Sequence, residues 1–191
     1  MIDILTNEYR QPVFPDGFSA VELDLGCGKG KFTLELAERY PERLVVGLDV
    51  MMGRLAKIDS KMTRLGLKNV MLLRAESSQA VAFQLPVASI DRIHLLCPDP
   101  WPKEKRKGRR LVCMAFLATL PRIMKPCAVL HMATDYRPYF DDWQRMLDSI
   151  PWLEDAPNAS DDVKDIKTDF ELQWEAEGKS VWHLNRRFKR K

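Results

Sequence analysis

The stretch Val21-Glu22-Leu23-Asp24-Leu25-Gly26-Cys27-Gly28-Lys29-Gly30 decides how the chain is expected to fold. Its first half is rich in aliphatic residues, as a buried strand is. Its second half places three glycines where that strand must turn sharply, and an amphipathic segment follows over residues 31–40. Glycine permits both a tight turn and the close approach of a ligand to the backbone. The stretch therefore predicts a strand, a ligand-binding turn and a helix.

Outward from this stretch, short aliphatic runs alternate with longer amphipathic segments, which is typical of βα units around a parallel sheet. The runs predicted to form strands cover residues 21–25, 44–48, 70–73, 90–96 and 128–132. The segments predicted to form helices cover residues 31–40, 51–65, 110–124 and 136–150. An irregular loop is expected over 154–165, then a helix through Trp174 and a final strand over 181–188. This order predicts an α/β fold with a doubly wound sheet.

Composition and length limit the classes of protein to consider. With 191 residues, the chain is predicted to form one domain, residues 1–191, large enough to bury a core without disulfides or metal. The four cysteines form no C-x-x-C pair, and no basic leader or long apolar run precedes the fold. We therefore expect reduced thiols and a soluble protein in the cytoplasm. The net charge of +3 says little about partners.

Acidic residues accompany the glycine turn. Asp24 precedes the turn, Asp49 closes the second predicted strand and Glu76 follows the third. A dinucleotide fingerprint needs a glycine at the sixth position from Gly26, where this chain has Lys31. The G-x-G-x-G pattern instead suits S-adenosylmethionine, whose ribose Asp49 can bind and whose positive charge Asp24 can attract. The alternatives are an ordinary tight turn and carboxylates that cap helices.

A proline-rich motif, Cys97-Pro98-Asp99-Pro100-Trp101-Pro102, follows the fourth predicted strand. Three prolines fix the backbone, which suits the wall of a site. Asp99 can accept hydrogen bonds from the N–H groups of a planar base, and the Trp101 ring can stack on it. A kinked strand exit with an ordinary surface tryptophan is the alternative.

A basic run, Lys103-Glu104-Lys105-Arg106-Lys107-Gly108-Arg109-Arg110, comes next, and a second basic stretch occupies residues 186–191. Basic runs are commonly solvated surface, but this one adjoins the proposed base pocket. The two stretches together indicate a polyanionic substrate larger than a free nucleotide.

The ordered motifs resemble those of the bacterial tRNA (guanine-N7-)-methyltransferases. The resemblance is carried by Pro98 to Lys103 with Arg109-Arg110-Leu111, by the glycine turn, by Ala133-Thr134-Asp135-Tyr136 and by Thr168-Asp169-Phe170-Glu171. It implies a Rossmann-like class I fold with an antiparallel C-terminal strand, S-adenosylmethionine as cofactor, and methyl transfer to N7 of a guanine in the tRNA variable loop. Neither a membrane, a metal nor an obligate protein partner is implied.

The resemblance also implies roles for individual residues. Asp99 is the expected catalytic residue. The expected cofactor-binding residues are Asp24, Gly26, Gly28, Gly30, Asp49, Glu76 and Asp99. The expected substrate-binding residues are Lys103, Asp135, Thr168, Asp169, Phe170 and Glu171. Because N7 of guanine carries a lone pair and no proton, positioning is expected to dominate over general-base catalysis.

Some alternatives stay open at this point. Thr168 and Glu171 also fit a capping box, and Asp135 also fits the start of a helix. The chain departs from the family pattern at Pro126-Cys127-Ala128, where a Pro-Gly-Gly turn is usual. We assign His94, His131 and His183 to packing and to no metal. The rival functions are an exocyclic-amine nucleic-acid methyltransferase and a non-catalytic RNA-binding protein of the same fold.

Overall fold

The computed structural model describes residues 2–5 and 10–189 of the chain. An eight-stranded sheet with strand order β1-β4-β3-β2-β5-β6-β8-β7 forms its centre. The strands are β1 (Ile2–Ile4), β2 (Ala20–Leu25), β3 (Arg43–Asp49), β4 (Val70–Arg74), β5 (Ile90–Leu96), β6 (Met124–Thr134), β7 (Leu153–Asp155) and β8 (Trp182–Phe188). The first six strands are parallel to one another, whereas β8 pairs antiparallel with both β6 and β7.

The topology confirms the predicted doubly wound sheet. All five aliphatic runs form strands, and the final predicted strand pairs antiparallel with β6. The strand order reverses beside β2, which lies between β3 and β5. In open α/β sheets, ligands bind at such a reversal, outside the carboxyl ends of the strands. The glycine turn that follows β2 therefore lies where a ligand is expected. Two short strands, β1 and β7, were not predicted, and β7 replaces part of the expected loop over 154–165.

Seven helices connect or cover the strands within the described ranges. They are α1 (Lys31–Arg39), α2 (Met52–Leu65), α3 (Ser77–Gln79), α4 (Met114–Leu117), α5 (Leu120–Ile123), α6 (Arg137–Asp148) and α7 (Asp169–Ala176). The predicted helix over 110–124 is wrong in part, since it divides into α4 and α5. Pro121 stands in the first turn of α5, where a missing N–H is tolerated, but it cannot continue a helix that began earlier.

The two faces of the sheet carry different interiors. A large apolar cluster on one face includes Leu23, Ile93 and Trp143 and packs beneath α4, α5 and α6. The other face, beneath α1 and α2, has a smaller apolar cluster around Phe32 and Val45. The second face also holds buried charged and polar groups in β2, β5 and β6. Asp24 belongs to this polar region, Asp49 is buried at the end of β3, and Glu76 is exposed.

One departure from the family pattern and one basic residue have clear structural outcomes. Cys127, which stands in place of a usual glycine, adopts a positive φ of 66° and is exposed. The turn thus keeps a left-handed conformation that glycine adopts without strain. In the second basic stretch, Arg186 is buried and hydrogen-bonds Asp148 and Asp155, so it is a structural residue rather than part of a basic patch. Arg190 and Lys191 lie outside the described residues.

Candidate active site

The glycine turn connects β2 to α1 through three left-handed residues. Gly26, Gly28 and Gly30 have φ values of 87°, 56° and 76°. Gly30 caps α1, and a Cβ placed on it would lie 2.4 Å from Cγ1 of Ile58. At Gly26 a Cβ would meet nothing within 4 Å. The turn therefore needs glycine at residue 30 for packing, whereas at residue 26 the bare backbone faces open space that a ligand can occupy.

Asp24 is a buried carboxylate at the end of β2. It is 3% exposed and accepts a hydrogen bond from Thr33 Oγ1 at 2.5 Å. Burial raises the pKa of Asp24 to about 6, and the nearby charge of Asp49 acts in the same direction, whereas Thr33 and His94 oppose it. A carboxylate that is costly to ionise in this position would be stabilised by a positively charged ligand.

The structure gives Asp49 and Glu76 specific local partners. The Asp49 carboxylate accepts hydrogen bonds from the backbone N–H of Gly28 at 3.0 Å and of Met51 at 2.8 Å. It thereby fixes the glycine turn against the end of β3. Glu76 is exposed and caps α3 through the N–H groups of Ser78 and Gln79. The capping alternative is therefore correct for Glu76, and a cofactor contact by either carboxylate stays a prediction.

A cleft opens above the turn, and we call it the glycine-turn cleft. Its volume is about 870 Å³ when the open space at its mouth is counted. Asp24, Gly26 and Gly28 form one wall, and Cys97 closes it from the end of β5. Thr168, Asp169 and Phe170 at the start of α7 also line it. The structure thus brings the predicted cofactor turn and three predicted substrate residues to one cavity.

The start of α7 is fixed by the predicted capping box. Thr168 Oγ1 accepts the N–H of Glu171 at 3.1 Å, and Glu171 Oε2 accepts the N–H of Thr168 at 2.8 Å. Glu171 is 3% exposed and turns inward. Phe170 is half-exposed and stacks on Trp174, with the ring centres 5.6 Å apart. Glu171 therefore supports the helix from below, while Thr168 to Phe170 face the cleft.

The proline-rich motif forms a second cleft, which we call the tryptophan cleft. Asp99, Trp101, Lys103 and Arg106 line it. Asp99 is exposed and does not line the glycine-turn cleft, whose wall ends two residues earlier at Cys97. Asp99 was expected at the junction of cofactor and acceptor, but it lines the tryptophan cleft instead. The sequence could not show this because the direction of the chain after β5 depends on the backbone angles of Cys97. Contact of Asp99 with the cofactor stays a prediction.

Backbone strain marks both ends of the motif. Cys97 has a φ of 55° and Trp101 a φ of 37°, although neither is glycine. Such conformations are costly for residues with a Cβ and persist where the surrounding structure requires them. Arg110 provides part of that structure, because its Nε donates to the Pro100 carbonyl at 2.8 Å and its Nη1 donates to Asp142 at 2.7 Å. Arg110 is buried, so it does not belong to the predicted basic surface.

The remaining cations of the basic run face solvent. Lys103 and the cations of the following 3₁₀ turn are exposed, namely Lys105, Arg106, Lys107 and Arg109. The guanidinium carbons of Arg106 and Arg109 lie 5.8 and 5.2 Å from the centre of the Trp101 ring. This is the distance range of cation–π contacts, and it gathers positive charge around an aromatic face.

Asp135 follows β6 and is half-buried. Tyr136, not Asp135, caps α6, so the alternative of Asp135 as helix start is wrong. Together with burial and Glu171, the charge of Asp135 raises the pKa of the Cys97 thiol to about 12, which indicates that Asp135 lies near the wall of the glycine-turn cleft. Contact of Asp135 with a substrate stays a prediction.

Sequence reasoning missed several residues of the site. Thr33 and Phe32 were overlooked, although a polar residue on the inward stripe of α1 is a usable signal. Arg54 and Gln173 line the glycine-turn cleft from α2 and α7, and only the tertiary structure shows this. Among residues 2–5 and 10–189, no cluster of three or more His, Cys, Asp or Glu side chains could hold a metal ion. No helix in those ranges combines the length and apolarity needed to cross a bilayer.

The doubly wound sheet, the glycine turn at its reversal point and the buried Asp24 define an S-adenosylmethionine-dependent methyltransferase of the Rossmann-like class. The family described as "Putative methyltransferase" matches residues 19–184. The tRNA (guanine-N(7)-)-methyltransferase of Nitrosococcus oceani is 30% identical over 168 residues, 88% of this chain and 70% of that protein. The enzyme of the same name from Leifsonia xyli is 32% identical over 169 residues, 86% of this chain and 74% of that protein. The chain belongs to the tRNA (guanine-N7-)-methyltransferase family.

Solved structures support the same architecture. The 16S rRNA methyltransferase KamB superposes with a TM-score of 0.67 at 21% identity, covering 91% of this chain and 89% of that one. At this identity the likeness confirms the Rossmann-like methyltransferase fold and carries nothing about the substrate.

Proposed function

We propose that this chain transfers a methyl group from S-adenosylmethionine to N7 of a guanine in the variable loop of tRNA. The observation that carries the proposal is the glycine-turn cleft, which residues of the turn and of the start of α7 both line. Membership of the family supports the substrate, and the variable loop follows from the family resemblance alone. The catalytic chain is proposed to be one domain, 1–191, that acts in the cytoplasm without an obligate protein partner.

The residues of the glycine-turn cleft fit the cofactor. A bare glycine backbone and a buried carboxylate with a raised pKa both suit a compact cationic ligand. S-adenosylmethionine supplies a methyl group activated on a positively charged sulfur. Asp24 attracts the positive charge of the ligand, Gly26 and Gly28 let it approach the backbone, and Gly30 sets the direction of α1. Asp49 keeps the turn closed through Gly28.

Asp99 and Trp101 are proposed to bind the guanine in the tryptophan cleft. Asp99 can accept hydrogen bonds from the base and stabilise the positive charge that develops when its ring is methylated. Because N7 needs no deprotonation, these residues orient the base rather than remove a proton. Lys103, Asp135 and the segment Thr168 to Glu171 complete the proposed substrate site, with Glu171 acting through the capping box.

The exposed cations beside Trp101 are proposed to bind phosphates of the tRNA. Lys103 and Arg106 line the cleft that holds Asp99, and Arg109 lies over Trp101, so a phosphate backbone bound there would place a base near that carboxylate. Unlike the buried Arg110, these side chains are exposed and accessible to the phosphates of a folded RNA.

The test is methyl transfer from labelled S-adenosylmethionine to bulk tRNA, followed by digestion and identification of the labelled nucleoside. We expect N7-methylguanosine, at a position where borohydride and aniline cleave the chain. A label on an exocyclic amine of adenine or cytosine would contradict the proposal, and so would cofactor binding without any transfer. The Asp24→Asn variant is the matched control for transfer that depends on the glycine-turn cleft.

A further inference from the structure

His94, His131 and His183, which the sequence assigned to packing, form a hydrogen-bonded row that we call the histidine chain. The packing prediction is therefore incomplete. Nδ1 of His94 lies 3.0 Å from Nδ1 of His131, and Nε2 of His131 lies 3.3 Å from Nδ1 of His183. The chain ends on carboxylates at both sides. His94 Nε2 lies 2.7 Å from Glu22 Oε2, and His183 Nε2 lies 3.2 Å from Glu171 Oε1.

Register explains how residues so distant in sequence meet. His94 and His131 are direct partners across β5 and β6, and Asp24 is the partner of His94 on β2. Side chains of directly paired residues point to the same face of a sheet. His183 in β8 continues the row toward α7. The chain thus runs across four strands, from beneath the glycine turn to the capping box of α7.

The number of ring protons that its hydrogen bonds need sets the charge of the histidine chain. Burial alone would raise the pKa of Glu22, yet the hydrogen bond and charge of His94 and the charge of Arg92 hold it at about 2. Burial also acts to raise the pKa of Glu171, but hydrogen bonds from His183 and Thr168 keep it below its usual range. Both carboxylates are therefore acceptors, so the ring nitrogen facing each must carry a proton.

Each of the two contacts between rings needs one further proton, because two bare nitrogens cannot hydrogen-bond. The four contacts together need four protons, whereas three neutral imidazoles carry only three. One of the three rings must then be an imidazolium whenever all four hydrogen bonds of the histidine chain are formed. Burial and the charges of both neighbouring rings lower the pKa of His131, which disfavours placing the extra proton on the middle ring.

The charged groups that face the chain favour this extra proton. Four carboxylates face it, from β2, α7 and the turn after β7, together with two guanidiniums from β3 and β5. They are Glu22, Asp24, Glu171, Asp162, Arg43 and Arg92. The carboxylates exceed the guanidiniums, so one added positive charge reduces an imbalance in a buried region. His183 is 42% exposed, which leaves that end open to water as a proton source.

We propose that His94, His131 and His183 share one excess proton between Glu22 and Glu171, and that this shared charge positions the start of α7 against the glycine turn. At the His94 end the charge favours ionised Asp24, and at the His183 end it favours ionised Glu171. The histidines are positioning residues. Their link to guanosine rests on the proposed function, whereas the proton count is measured without substrate.

The first test is long-range ¹H–¹⁵N correlation NMR of untagged protein labelled at histidine, recorded at about pH 8, well above the ordinary histidine pKa of about 6.5. The chain has only three histidines, so the spectrum can be counted. We expect four ring N–H protons and one imidazolium, localised or averaged over two rings. Three neutral rings would overturn the proposal.

The matched variant is Glu171→Gln. Glutamine is accepted in capping boxes, and its amide can donate to His183 while its oxygen accepts the N–H of Thr168. All contacts then need only three ring protons. We expect three neutral rings at about pH 8, and an imidazolium that persists in this variant would overturn the assignment of the charge.

The positioning role is tested with His131→Phe, which keeps a ring between its neighbours and removes both ring-to-ring hydrogen bonds. We expect amide hydrogens of α7 to exchange about tenfold faster, while those of β3 are unchanged, because only the support of α7 is lost. Amide exchange in α7 at the same rate in the variant and the wild type would overturn the positioning role. Faster exchange throughout the sheet would also overturn it, since the histidines would then be general core residues.

Discussion

The two clefts of the molecule are built in opposite ways. The glycine-turn cleft uses left-handed glycines and a buried carboxylate, and its polar groups are fixed by hydrogen bonds such as those of Asp24 and Asp49. The tryptophan cleft is built around Trp101, a non-glycine residue with a positive φ, and around exposed charged side chains. Buried groups have shifted pKa values, whereas exposed cations are screened by salt. Ligand binding should therefore depend on pH in the first cleft and on ionic strength in the second.

The largest expected effect separates chemistry from binding. Asp99→Asn removes the charge proposed to stabilise the methylated base, so kcat on tRNA should fall by about 10²–10³-fold, as for loss of other fixed electrostatic groups. Because Asp99 lies outside the glycine-turn cleft, the Kd for S-adenosylmethionine should be unchanged. Asp16→Asn, at an exposed aspartate, is the control. Near wild-type turnover of Asp99→Asn would exclude the charge-stabilising role.

The second prediction concerns a substitution that distorts the glycine turn and leaves the tryptophan cleft unchanged. Gly30→Ala should lower the free energy of unfolding by about 2–4 kcal/mol, since its Cβ would overlap Ile58 and the residue would keep a positive φ. Urea unfolding measures the loss, and binding of S-adenosylmethionine should weaken in parallel. Gly53→Ala is a matched control, because Gly53 lies within α2 with nothing within 4 Å of the added carbon. It should be neutral or stabilising by up to about 1 kcal/mol. Equal stability of the two variants would contradict the packing argument.

The third prediction concerns the pH dependence of the glycine-turn cleft. Burial raises the pKa of Asp24 from 3.8 to about 6, so the folded chain holds this proton more tightly than the unfolded chain. Stability of the free protein is therefore lost as pH rises from about 4 to about 6, and the ionised form costs about 3 kcal/mol at neutral pH. Asp24→Asn should stabilise the free protein by about 1–3 kcal/mol at pH 7 while it weakens cofactor binding.

Equilibrium unfolding at several pH values, with cofactor titration, checks this prediction. The stability gain of Asp24→Asn should shrink toward pH 4, and in the wild type cofactor affinity should fall as pH drops through about 6. Thr33→Val removes a hydrogen bond that lowers the pKa of Asp24, so it should move the midpoint of that fall upward. A midpoint that stays in place would show that Thr33 does not tune the carboxylate.

The smallest effect concerns salt. Arg109→Ala should reduce the slope of log K against log[salt] for tRNA binding by about 1, the value for one lost phosphate contact. Lys61→Ala, at an exposed lysine of α2, is the control and should leave the slope unchanged. Fluorescence titration over a range of salt concentrations measures both. A change in cofactor Kd with Arg109→Ala would contradict the separation of the two clefts.

Local patterns in the sequence predicted the parts of the fold that local forces determine. The aliphatic runs, the glycine turn and the capping box at Thr168 are encoded within a few residues of one another, and the structure confirms them. The break between α4 and α5 was missed, although Pro121 signals it. In that case the amphipathic pattern was given more weight than the proline.

Features that depend on distant residues could not be predicted. The inward direction of Arg110 is set by Asp142 on α6, and the position of Asp99 is set by the backbone at Cys97. The histidine chain needs the register of β5, β6 and β8, which no single segment contains. Such residues look like isolated polar positions until the strands are paired.

The buried Arg110 has a mechanical consequence for RNA recognition. Its guanidinium donates to the Pro100 carbonyl in the wall of the tryptophan cleft and to Asp142 of α6, and so fixes the end of the basic run. The exposed cations before it lie in a 3₁₀ helix, Glu104–Arg109, which ends at this anchored residue. Under the proposed function, cations held in this way would present the target base of each tRNA at the same place beside Asp99.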